Sequence, residues 1–386
     1  MQQSELPKCA SKPKLTSIPS DITCVADYEA LAKDYIDTPV YEYIAGGSGN
    51  EQSLRANIEA FQSVQLVNRL LVDCSAGTTA TQLLGQSFRH PVLLAPVAYQ
   101  KLVHPLGELE TARAAEALDT CMVTSTLSSC TLEEIAQAHQ GNRWFQLYFQ
   151  VDRAHTLDLV RRAEAAGYSA LMVTLDASIQ ASNRRAKRAG FQFPTAVRPE
   201  NLQRYQPPQQ VTLSTDQSVI FQGAMAEAPG WSDLEWLLAN TSLPVLVKGV
   251  LHPNDAKQLA AMGVSGVVVS NHGGRALDGV PSAVHVLPQI RAALGKDVTV
   301  LADGGVRSGY DVFKLLALGA DAVMVGRPLL YGLAVAGALG VAHILRMLRD
   351  ELEVCMALTG CPTLQEIDRQ CLWHSEQETN QHAHRD

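Results

Sequence analysis

The sequence predicts an α/β fold, a (β/α)8 TIM barrel, on two observations. From Pro91 onward, eight short apolar runs rich in β-branched residues alternate with stretches that carry helical signals. The runs are apolar throughout, which is typical of parallel strands covered on both faces of their sheet, and eight β-then-α units are the pattern of a closed barrel. A doubly wound sheet is the main alternative, but no GxGxxG motif follows the first strand.

Helical stretches separate the predicted strands, and some of their starts are readable. Thr131 stands before Glu133 and Glu134, which places acid in a first turn, and Pro253 and Asp255 open a later helix. The eight strands are predicted at residues 92–95, 121–124, 144–148, 170–175, 245–248, 266–270, 298–302 and 322–326.

Two segments flank or interrupt the barrel pattern. Residues 1–90 are predicted to form an N-terminal extension and a helical preface with a short hairpin, packed on the barrel's N-terminal face or mouth. Residues 190–230, after the fourth strand, are long, polar and rich in Gln and Pro, which is typical of a lid or a disordered loop. We therefore divide the chain into the preface (1–90), the barrel (91–373) and a disordered tail (374–386).

Composition and charge narrow the class of protein. The chain has 386 residues, 46% hydrophobic and 18% charged, which is enough apolar material for a large core. Its formal net charge of −8 speaks against a nucleic-acid-binding surface, which needs clustered Lys and Arg. The eight cysteines form no CxxC pair, so no metal site is expected, and we interpret them as reduced thiols in a cytoplasmic protein.

No membrane or targeting segment is expected. The first 20 residues have no apolar stretch of the kind that a signal peptide needs, and the C-terminus is His-Arg-Asp rather than the peroxisomal Ser-Lys-Leu. Residues 328–345 carry no Lys, Arg, Asp or Glu, but they directly follow a predicted strand. We therefore interpret them as a buried helix rather than a membrane span.

Polar and ionisable residues recur where the predicted strands end. One such residue alone would be explained as a helix cap or a structural histidine. Their recurrence at one rim predicts an active site there, because catalytic residues of such barrels gather at the C-terminal ends of the strands. These residues are Ser125, Gln146, Tyr148, Thr174, Asp176, Lys248, His272, Arg275, Asp303, Arg307 and Arg327.

The last two strands end in glycines and arginines. The segment from Asp303 to Arg307 closes the seventh strand, and Gly326 and Arg327 close the eighth. This is the usual place for a phosphate in the fold, bound by loop amides and a helix N-terminus, and Arg327 adds a charged contact. The pattern predicts a phosphate site, whose phosphate belongs either to a substrate or to FMN.

Four strings of the sequence carry a family resemblance: WFQLYFQ (144–150), LVKGV (246–250), SNHGGRALDGVPS (270–282) and LADGGVRSGYDVFKLLALGADAVMVGRP (301–328). They resemble the FMN-dependent α-hydroxy-acid oxidase/dehydrogenase family, which includes glycolate oxidase, lactate oxidase and mandelate dehydrogenase. The resemblance runs from about residue 27 to about residue 361, and SNHGGR is its most specific part.

The resemblance implies roles for the residues around the substrate. His272 is similar in position to the family's catalytic base, which takes a proton from the substrate while a hydride equivalent goes to the flavin, and an imidazole suits this task near neutral pH. Asp176 matches the carboxylate that orients the base. Arg275 and Tyr43 match the residues that hold the substrate carboxylate, and Tyr148 matches a tyrosine near the substrate hydroxyl.

FMN is the cofactor that the resemblance implies. Lys248 matches a lysine near flavin N1 and O2, where a positive charge stabilises the reduced ring. The other matches fall around the isoalloxazine ring or at the ribityl phosphate. The residues expected to contact the ring are Ala98, Ser125, Gln146 and Thr174. Those expected at the phosphate end are Asp303, Gly305, Arg307, Gly326 and Arg327, and Ser270 is also expected at the cofactor.

Two positions depart from the family's pattern. The family usually has a second substrate arginine seven residues after the strand-4 aspartate, and here that residue is Asn183, followed by Arg184 and Arg185. Either Arg184 takes the role after a one-residue slip, or the second contact is missing. Leu127 stands where glycolate-oxidase-like members have a large aromatic residue, so either the pocket admits a bulkier or aryl side chain or the exchange is neutral.

The leading hypothesis is FMN-dependent oxidation of an (S)-2-hydroxy acid, lactate-like or mandelate-like, to a 2-oxo acid. About 26 residues precede the match, and residues 190–230 hold no hydrophobic insert. We therefore expect a soluble oxidase without a haem domain that uses O2 and forms H2O2. A dehydrogenase with another acceptor is the first alternative; an FMN-barrel isomerase, a phosphate-substrate lyase and an inactive scaffold are others. A homotetramer is expected from the resemblance alone.

Overall fold

Eight parallel strands close into a barrel in the computed structural model, which describes residues 12–207 and 213–373. Each strand pairs with the next along the chain, and the last pairs with the first, so the predicted (β/α)8 barrel is confirmed. The predicted tail (374–386), residues 1–11 and residues 208–212 of the predicted lid loop lie outside the described residues. The barrel strands are β3 (Val92–Leu94), β4 (Met122–Ser125), β5 (Arg143–Leu147), β6 (Ala170–Thr174), β7 (Val245–Val250), β8 (Gly266–Val269), β9 (Thr299–Asp303) and β10 (Ala322–Val325), and a hairpin of β1 (Thr81–Leu83) and β2 (Gln86–Phe88) precedes them.

Helices cover the outside of the barrel and form most of the preface. Three precede the hairpin and the others follow the barrel strands, so apolar side chains of the strands are buried on both faces, as their composition predicts. The helices are α1 (Val25–Tyr35), α2 (Thr38–Ala45), α3 (Gln52–Gln62), α4 (Glu108–Leu118), α5 (Leu132–Ala138), α6 (Arg153–Ala165), α7 (Arg184–Arg188), α8 (Trp231–Ala239), α9 (Pro253–Ala261), α10 (Ala283–Leu294), α11 (Gly309–Ala317) and α12 (Arg327–Thr359).

The hairpin closes the N-terminal end of the barrel. Leu83 and Phe88, one from each hairpin strand, are buried in the same apolar cluster as the inward-facing strand residues Leu93 and Met172. The ring of Phe88 packs edge-on against Trp144, with centroids 6.3 Å apart. Because this end is filled by side chains, the opposite, C-terminal end is the one left to form a site.

The register of the strands brings particular polar side chains to that C-terminal rim. Ser125 at the end of β4 lies opposite Gln146 of β5, and Thr174 at the end of β6 lies opposite Lys248 of β7. Parallel strands end at the same edge, so residues far apart in sequence become neighbours there. The pairing explains why polar residues recur at the strand ends of an otherwise apolar barrel.

Helix α12 contains the uncharged stretch noted in the sequence. By length and composition it is the one helix in the described part of the chain that could cross a membrane, but 78% of its most hydrophobic window is buried inside the protein. It is interrupted at Ala336 and Gly337, whose backbone angles are not helical. The hydroxyl of Tyr28 in α1 lies 3.0 Å from Nδ1 of His343 in α12. The stretch is therefore a buried packing helix, as the sequence analysis interprets it.

The first part of the predicted lid loop is anchored to the rim, among other contacts through Asn201. Asn201 is fully buried, and its Nδ2 donates to the Ser128 hydroxyl at 2.9 Å while its Oδ1 accepts from the Leu132 amide at 2.8 Å. Further along, the described part of the loop forms short helical turns at Val219–Gly223 and Ala224–Glu227, which bury no side chain. The first part of the loop is thus tied to the strand ends.

Candidate active site

A cavity of about 340 Å³ opens at the C-terminal ends of the strands, where the sequence places the active site. Most of the predicted site residues line it, although they come from every barrel strand end and from the preface. The predicted residues that line it are Tyr43, Ala98, Ser125, Leu127, Gln146, Tyr148, Thr174, Lys248, His272, Arg275, Asp303, Gly305, Arg307, Gly326 and Arg327.

His272 and Asp176 form a hydrogen-bonded pair across two strand ends. Nδ1 of His272 lies 3.0 Å from Oδ1 of Asp176, and both side chains are largely buried. Burial raises the pKa of Asp176, but the hydrogen bond from His272 and the electrostatic attraction to His272 and Lys248 outweigh it, so the pKa is lowered overall. Asp176 is therefore an ionised acceptor that fixes the ring through Nδ1. His272 lines the cavity, and its Nε2 makes no hydrogen bond within the described residues.

Space for this pair depends on Gly249 in β7. A Cβ at Gly249 would stand 2.4 Å from Cβ of Asp176, and the φ of the glycine is +101°. No residue with a side chain fits there without displacing Asp176. The glycine that follows Lys248 in the LVKGV string is thus a requirement of the His272–Asp176 pair.

The backbone of His272 is itself strained. Its φ is +58°, in the left-handed region that residues with a side chain rarely adopt. The preceding Asn271 holds the turn, because its Oδ1 accepts from the Gly274 amide at 3.1 Å and its amide exchanges two hydrogen bonds of 2.8 Å with Asn57 in α3. A helix of the preface therefore holds the turn that presents the histidine.

Lys248 is a buried cation beside the cavity. Its Nζ donates to the Ser270 hydroxyl at 2.8 Å and lies 3.1 Å from Oδ2 of Asp303. Ser270 also accepts from the His272 amide at 3.0 Å. Ser270, expected at the cofactor from the sequence, does not line the cavity. Its hydroxyl instead joins Lys248 to the histidine turn.

Two polar atoms at the strand ends, the amide nitrogen of Gln146 and the hydroxyl oxygen of Thr174, have no hydrogen-bond partner in the described residues. Gln146 accepts from the Ser125 hydroxyl and the Thr126 amide through Oε1, both at 3.2 Å, which leaves Nε2 pointing away from them. Within the described residues, this buried Nε2 and the buried Oγ1 of Thr174 make no hydrogen bond. Buried polar atoms are ordinarily satisfied, so these atoms indicate a polar ligand in the cavity.

Arg275 and Tyr43 meet at the side of the cavity formed by the preface. The guanidinium of Arg275 lies over the Tyr43 ring, 4.9 Å from its centroid, and its Nη1 donates to the backbone carbonyls of Tyr43, Ile44 and Gly46. The Tyr43 ring stacks on Phe191 at 4.3 Å. Nε and Nη2 of Arg275 make no hydrogen bond within the described residues, so they are free to bind a carboxylate.

Tyr148 lines the same cavity and carries a hydroxyl. Burial, together with the negative charge of Asp176, raises the pKa of Tyr148 above its usual value. The phenol is therefore protonated throughout the neutral range and acts as a hydrogen-bond donor near His272 rather than as a base.

The phosphate end of the cavity lies at the ends of β9 and β10. Arg327 opens α12, and its guanidinium donates to the carbonyls of Ile44, Gly46 and Gly273 at 2.8 to 2.9 Å. Its burial and the nearby charge of Arg275 lower its pKa to about 10. Arg307 forms an ion pair with Glu29 at 2.9 Å. Both arginines line the cavity, where a bound anion would offset their crowded positive charge.

Gly305 shapes the loop between these arginines. Its φ is +85°, and a Cβ there would stand 2.1 Å from the carbonyl oxygen of Asn57. The loop after β9 can therefore pack against α3 only with a glycine at this position. The close approach brings the preface and the phosphate end together.

The structure places Arg184 outside the cavity. Its side chain is exposed and donates to the side chain of Asn50, and Arg184 is not among the lining residues. The expectation that Arg184 replaces the second substrate arginine after a one-residue slip is therefore not supported, because the residue begins α7 with its side chain on the outer surface. Asn183 caps that helix and lies next to the Tyr43 backbone.

Sequence reasoning missed several residues at the cavity. Tyr99 and Phe193 both line it, with their rings 4.9 Å apart, and Phe193 lies in the predicted lid loop. Asn57 holds the histidine turn from the preface. Aromatic residues and asparagines in a helix or loop carry no signal of their own in a single sequence, because their roles depend on tertiary contacts.

The model of one protein family matches most of the chain. The FMN-dependent dehydrogenase family matches residues 32–374. The chain belongs to this family. It is therefore an FMN-dependent protein, and the resemblance described from the sequence is confirmed. No group of His, Cys, Asp or Glu suited to a metal ion occurs in the described residues.

Individual relatives show the same similarity over nearly the whole chain. An L-lactate oxidase from Alicycliphilus denitrificans is 55% identical over 355 residues, which cover 92% of this chain and 97% of the relative. Glycolate oxidase 3 from Arabidopsis thaliana is 40% identical over 350 residues, 90% of this chain and 95% of the relative. The crystal structure of mandelate oxidase with (S)-2-phenylpropionate superimposes with a TM-score of 0.82 at 40% identity, covering 91% of this chain and 98% of that one.

The cavity residues fit FMN. The unpartnered Nε2 of Gln146 and Oγ1 of Thr174 suit the polar edge of a flavin ring, and Oδ1 of Asp303, also buried without a partner, suits the hydroxyls of a ribityl chain. Arg307, Arg327 and the loop at Gly305 would hold the phosphate. Lys248 would place its positive charge beside the ring.

Proposed function

We propose that this chain oxidises a lactate-like or mandelate-like (S)-2-hydroxy acid to the 2-oxo acid with FMN, and that O2 accepts the electrons to give H2O2. The observation that most directly supports this proposal is the His272–Asp176 pair, whose atoms lie 3.0 Å apart, at a cavity that Arg275 and Lys248 also line. A base, a carboxylate-binding guanidinium and a cation beside the flavin position are the three groups that this oxidation needs.

His272 acts as the base. With ionised Asp176 accepting the proton on Nδ1, Nε2 carries the lone pair that accepts the proton released when the substrate hydroxyl becomes a carbonyl. Asp176 then stabilises the imidazolium. FMN, when bound, accepts the two electrons that leave with the C2–H bond.

Arg275, Tyr43 and Tyr148 orient the substrate. The free Nε and Nη2 of Arg275 bind the carboxylate, with the Tyr43 ring packed against the guanidinium. Tyr148, held protonated by burial, donates to the substrate oxygen on C2. This arrangement directs the hydroxyl at His272 and fixes which face of C2 meets the flavin.

Apolar and aromatic residues line the part of the cavity that we expect to hold the substituent on C2, which favours an apolar substituent. Leu127, Tyr99 and Phe193 line it. Relatives are named L-lactate oxidase and mandelate oxidase, whose substrates carry a methyl and a phenyl group at this position. The oxidase names among the relatives favour O2 over another acceptor.

An anaerobic flavin-reduction screen tests the proposal. The purified protein is mixed with glycolate, both enantiomers of lactate, longer aliphatic hydroxy acids and both enantiomers of mandelate, and bleaching of the oxidised flavin band is followed. Bleaching by the (S) acids, followed by O2 consumption with H2O2 formed in equal amount, is expected. A yellow protein that no 2-hydroxy acid bleaches would refute the function, and bleaching without reoxidation by O2 would refute the acceptor. His272→Gln is the control, and it should bind FMN without being bleached.

Assembly and compartment are parts of the same proposal. We propose a homotetramer; exposed apolar side chains at Leu70, Leu71 and Leu358 support a subunit interface on this face, where the Arg69 amide bonds the Leu358 carbonyl. Mass measurement by light scattering tests it.

We also propose a cytoplasmic location, supported by the free state of the cysteines in the described residues.

A further inference from the structure

Asn183 lies beside the guanidinium that would hold the substrate. Nη1 of Arg275 and Nδ2 of Asn183 donate to the same atom, the carbonyl oxygen of Tyr43, at 2.8 and 3.2 Å. Position 183 is therefore one carbonyl group away from the carboxylate-binding end of the cavity. A longer side chain at this position would reach past that carbonyl toward the ligand.

The amide of Asn183 is already committed to the protein. Its Oδ1 accepts from the Ala186 amide at 3.0 Å, which caps α7, and its Nδ2 is used by the Tyr43 carbonyl. The same amide packs against the backbone of Gly46, where an added Cβ would stand 2.7 Å from Oδ1. Asn183 thus supplies no charge to a substrate, and both polar atoms of its side chain already bond to the protein backbone.

Neighbouring arginines do not compensate. Arg184 is exposed and donates to Asn50, while Arg185 pairs with Glu42 at 2.6 Å and lies 3.7 Å from Glu51. Neither lines the cavity. On the other side, the charge of Lys248 is balanced by Asp303. Arg327 shares the Ile44 and Gly46 carbonyls with Arg275, but its Nε, Nη1 and Nη2 each donate to a backbone carbonyl. Among the described residues at the substrate end, Arg275 is therefore the guanidinium with unpaired nitrogens, Nε and Nη2.

This charge pattern sets how strongly a carboxylate is preferred over a neutral group. A charge-assisted hydrogen bond contributes more than a neutral one, so each guanidinium that contacts the substrate favours a carboxylate over an uncharged carbonyl by about tenfold to a hundredfold. With one such contact instead of two, the difference in binding free energy between a carboxylate and an amide carbonyl that accepts from Arg275 and Tyr43 is smaller.

We infer that Asn183 extends the substrate class of this site to neutral 2-hydroxy amides, which it oxidises beside 2-hydroxy acids. The inference rests on the proposed function. The bonds and electrons balance as for the acid: the C2–H bond and the hydroxyl O–H bond break, a carbonyl forms at C2, and His272 takes the hydroxyl proton. Bound FMN would take the C2 hydrogen with its two electrons, and O2 would take those electrons with two protons to give H2O2. The product is a 2-oxo amide together with H2O2.

Matched pairs of substrates test the inference on the flavin-loaded protein. Anaerobic flavin reduction is measured with (S)-lactate against (S)-lactamide and with (S)-mandelate against (S)-mandelamide, as rate constant over dissociation constant. For the unaltered protein, we expect the acid to be preferred by no more than about a hundredfold, the effect of one guanidinium contact. A larger preference would overturn the inference, while bleaching by the acids would leave the proposed function standing.

Two variants at one position separate charge from loss of the helix cap. Asn183→Arg and Asn183→Met both lose the hydrogen bond to Ala186, but only the arginine adds charge. We expect Asn183→Arg to raise the acid-over-amide preference by about tenfold to a hundredfold, chiefly through tighter binding of the acid, and Asn183→Met to leave that ratio unchanged. Equal shifts in both variants would overturn the role of charge. If neither acids nor amides bleach any of the three proteins, the proposed function itself is refuted.

Discussion

Nδ1 of His272 lies 3.0 Å from Oδ1 of Asp176, and the other oxygen of this carboxylate, although buried, has no hydrogen-bond partner in the described residues. The pair thus depends on one hydrogen bond and on the negative charge. Because the pKa of Asp176 is lowered, that charge persists at neutral pH. Catalysis by the ring is then tied to the ionised state of its neighbour.

Asp176→Asn tests this dependence. An amide keeps the shape but can donate to Nδ1, which favours the tautomer that carries its proton on Nε2 and so removes the base. We expect the rate of flavin reduction by a 2-hydroxy acid to fall by about 10²- to 10⁴-fold, with FMN content unchanged. Stopped-flow absorbance under anaerobic conditions measures it. A loss below about tenfold would show that Asp176 does not orient the base.

The Lys248–Asp303 pair gives a second prediction. Lys248→Met would leave the Asp303 carboxylate buried with its cation removed, and breaking a buried pair from one side costs about 3–5 kcal/mol. We expect a lower unfolding midpoint and poor FMN retention. The double variant Lys248→Met/Asp303→Asn should recover most of the midpoint but not the rate of flavin reduction. Thermal unfolding with flavin fluorescence separates the two effects, and no recovery in the double variant would contradict a charge-pair origin.

The barrel and the chemistry of its rim were predictable from the sequence, because short stretches of consecutive residues indicate both. Apolar runs such as the one ending at Thr174 show that both faces are covered, and the SNHGGR string identifies His272 and Arg275. The position of Arg184 was not predictable. Whether an arginine one residue from Asn183 faces the cavity or solvent depends on where α7 begins, and element boundaries are the least certain part of a sequence-based reading.

Long-range contacts of the preface were also beyond the sequence. Asn57 holds Asn271 and packs against Gly305, yet nothing near it in the chain distinguishes it from other helical asparagines. Ser270 was expected at the cofactor, but its hydroxyl points to Lys248 and the His272 amide. Both residues position functional groups through tertiary contacts, which propensity and spacing do not encode.

Gly305→Ala gives a third prediction, with Gly304→Ala as its matched control. Both glycines have positive φ, so each alanine variant carries a backbone strain of about 1–3 kcal/mol. Only at Gly305 would the new Cβ meet backbone, 2.1 Å from the Asn57 oxygen, whereas at Gly304 the nearest atom is a side-chain nitrogen at 3.4 Å. We expect Gly305→Ala to lose more FMN and more thermal stability than Gly304→Ala. Equal losses would show that the approach of α3 is not what the glycine protects.

His90 gives a prediction about acid stability. It is buried below β3, where Nδ1 accepts from the Val92 amide at 3.3 Å and Nε2 has no partner in the described residues. Burial, aided by the positive charge of Arg349, lowers its pKa from 6.5 to about 4. Between these values the unfolded chain binds a proton that the folded protein does not, so stability rises with pH across this window and falls as the pH drops through it.

His90→Asn isolates this contribution, because the amide can accept from Val92 but does not titrate. From the two pKa values, His90 alone should lower the free energy of unfolding by about 2 kcal/mol between pH 7 and pH 5. We expect the urea midpoint of the unaltered protein to fall more over this interval than that of His90→Asn, whatever the variant loses at pH 7 through packing. Parallel declines in both proteins would show that His90 is protonated in the folded state or reached by solvent.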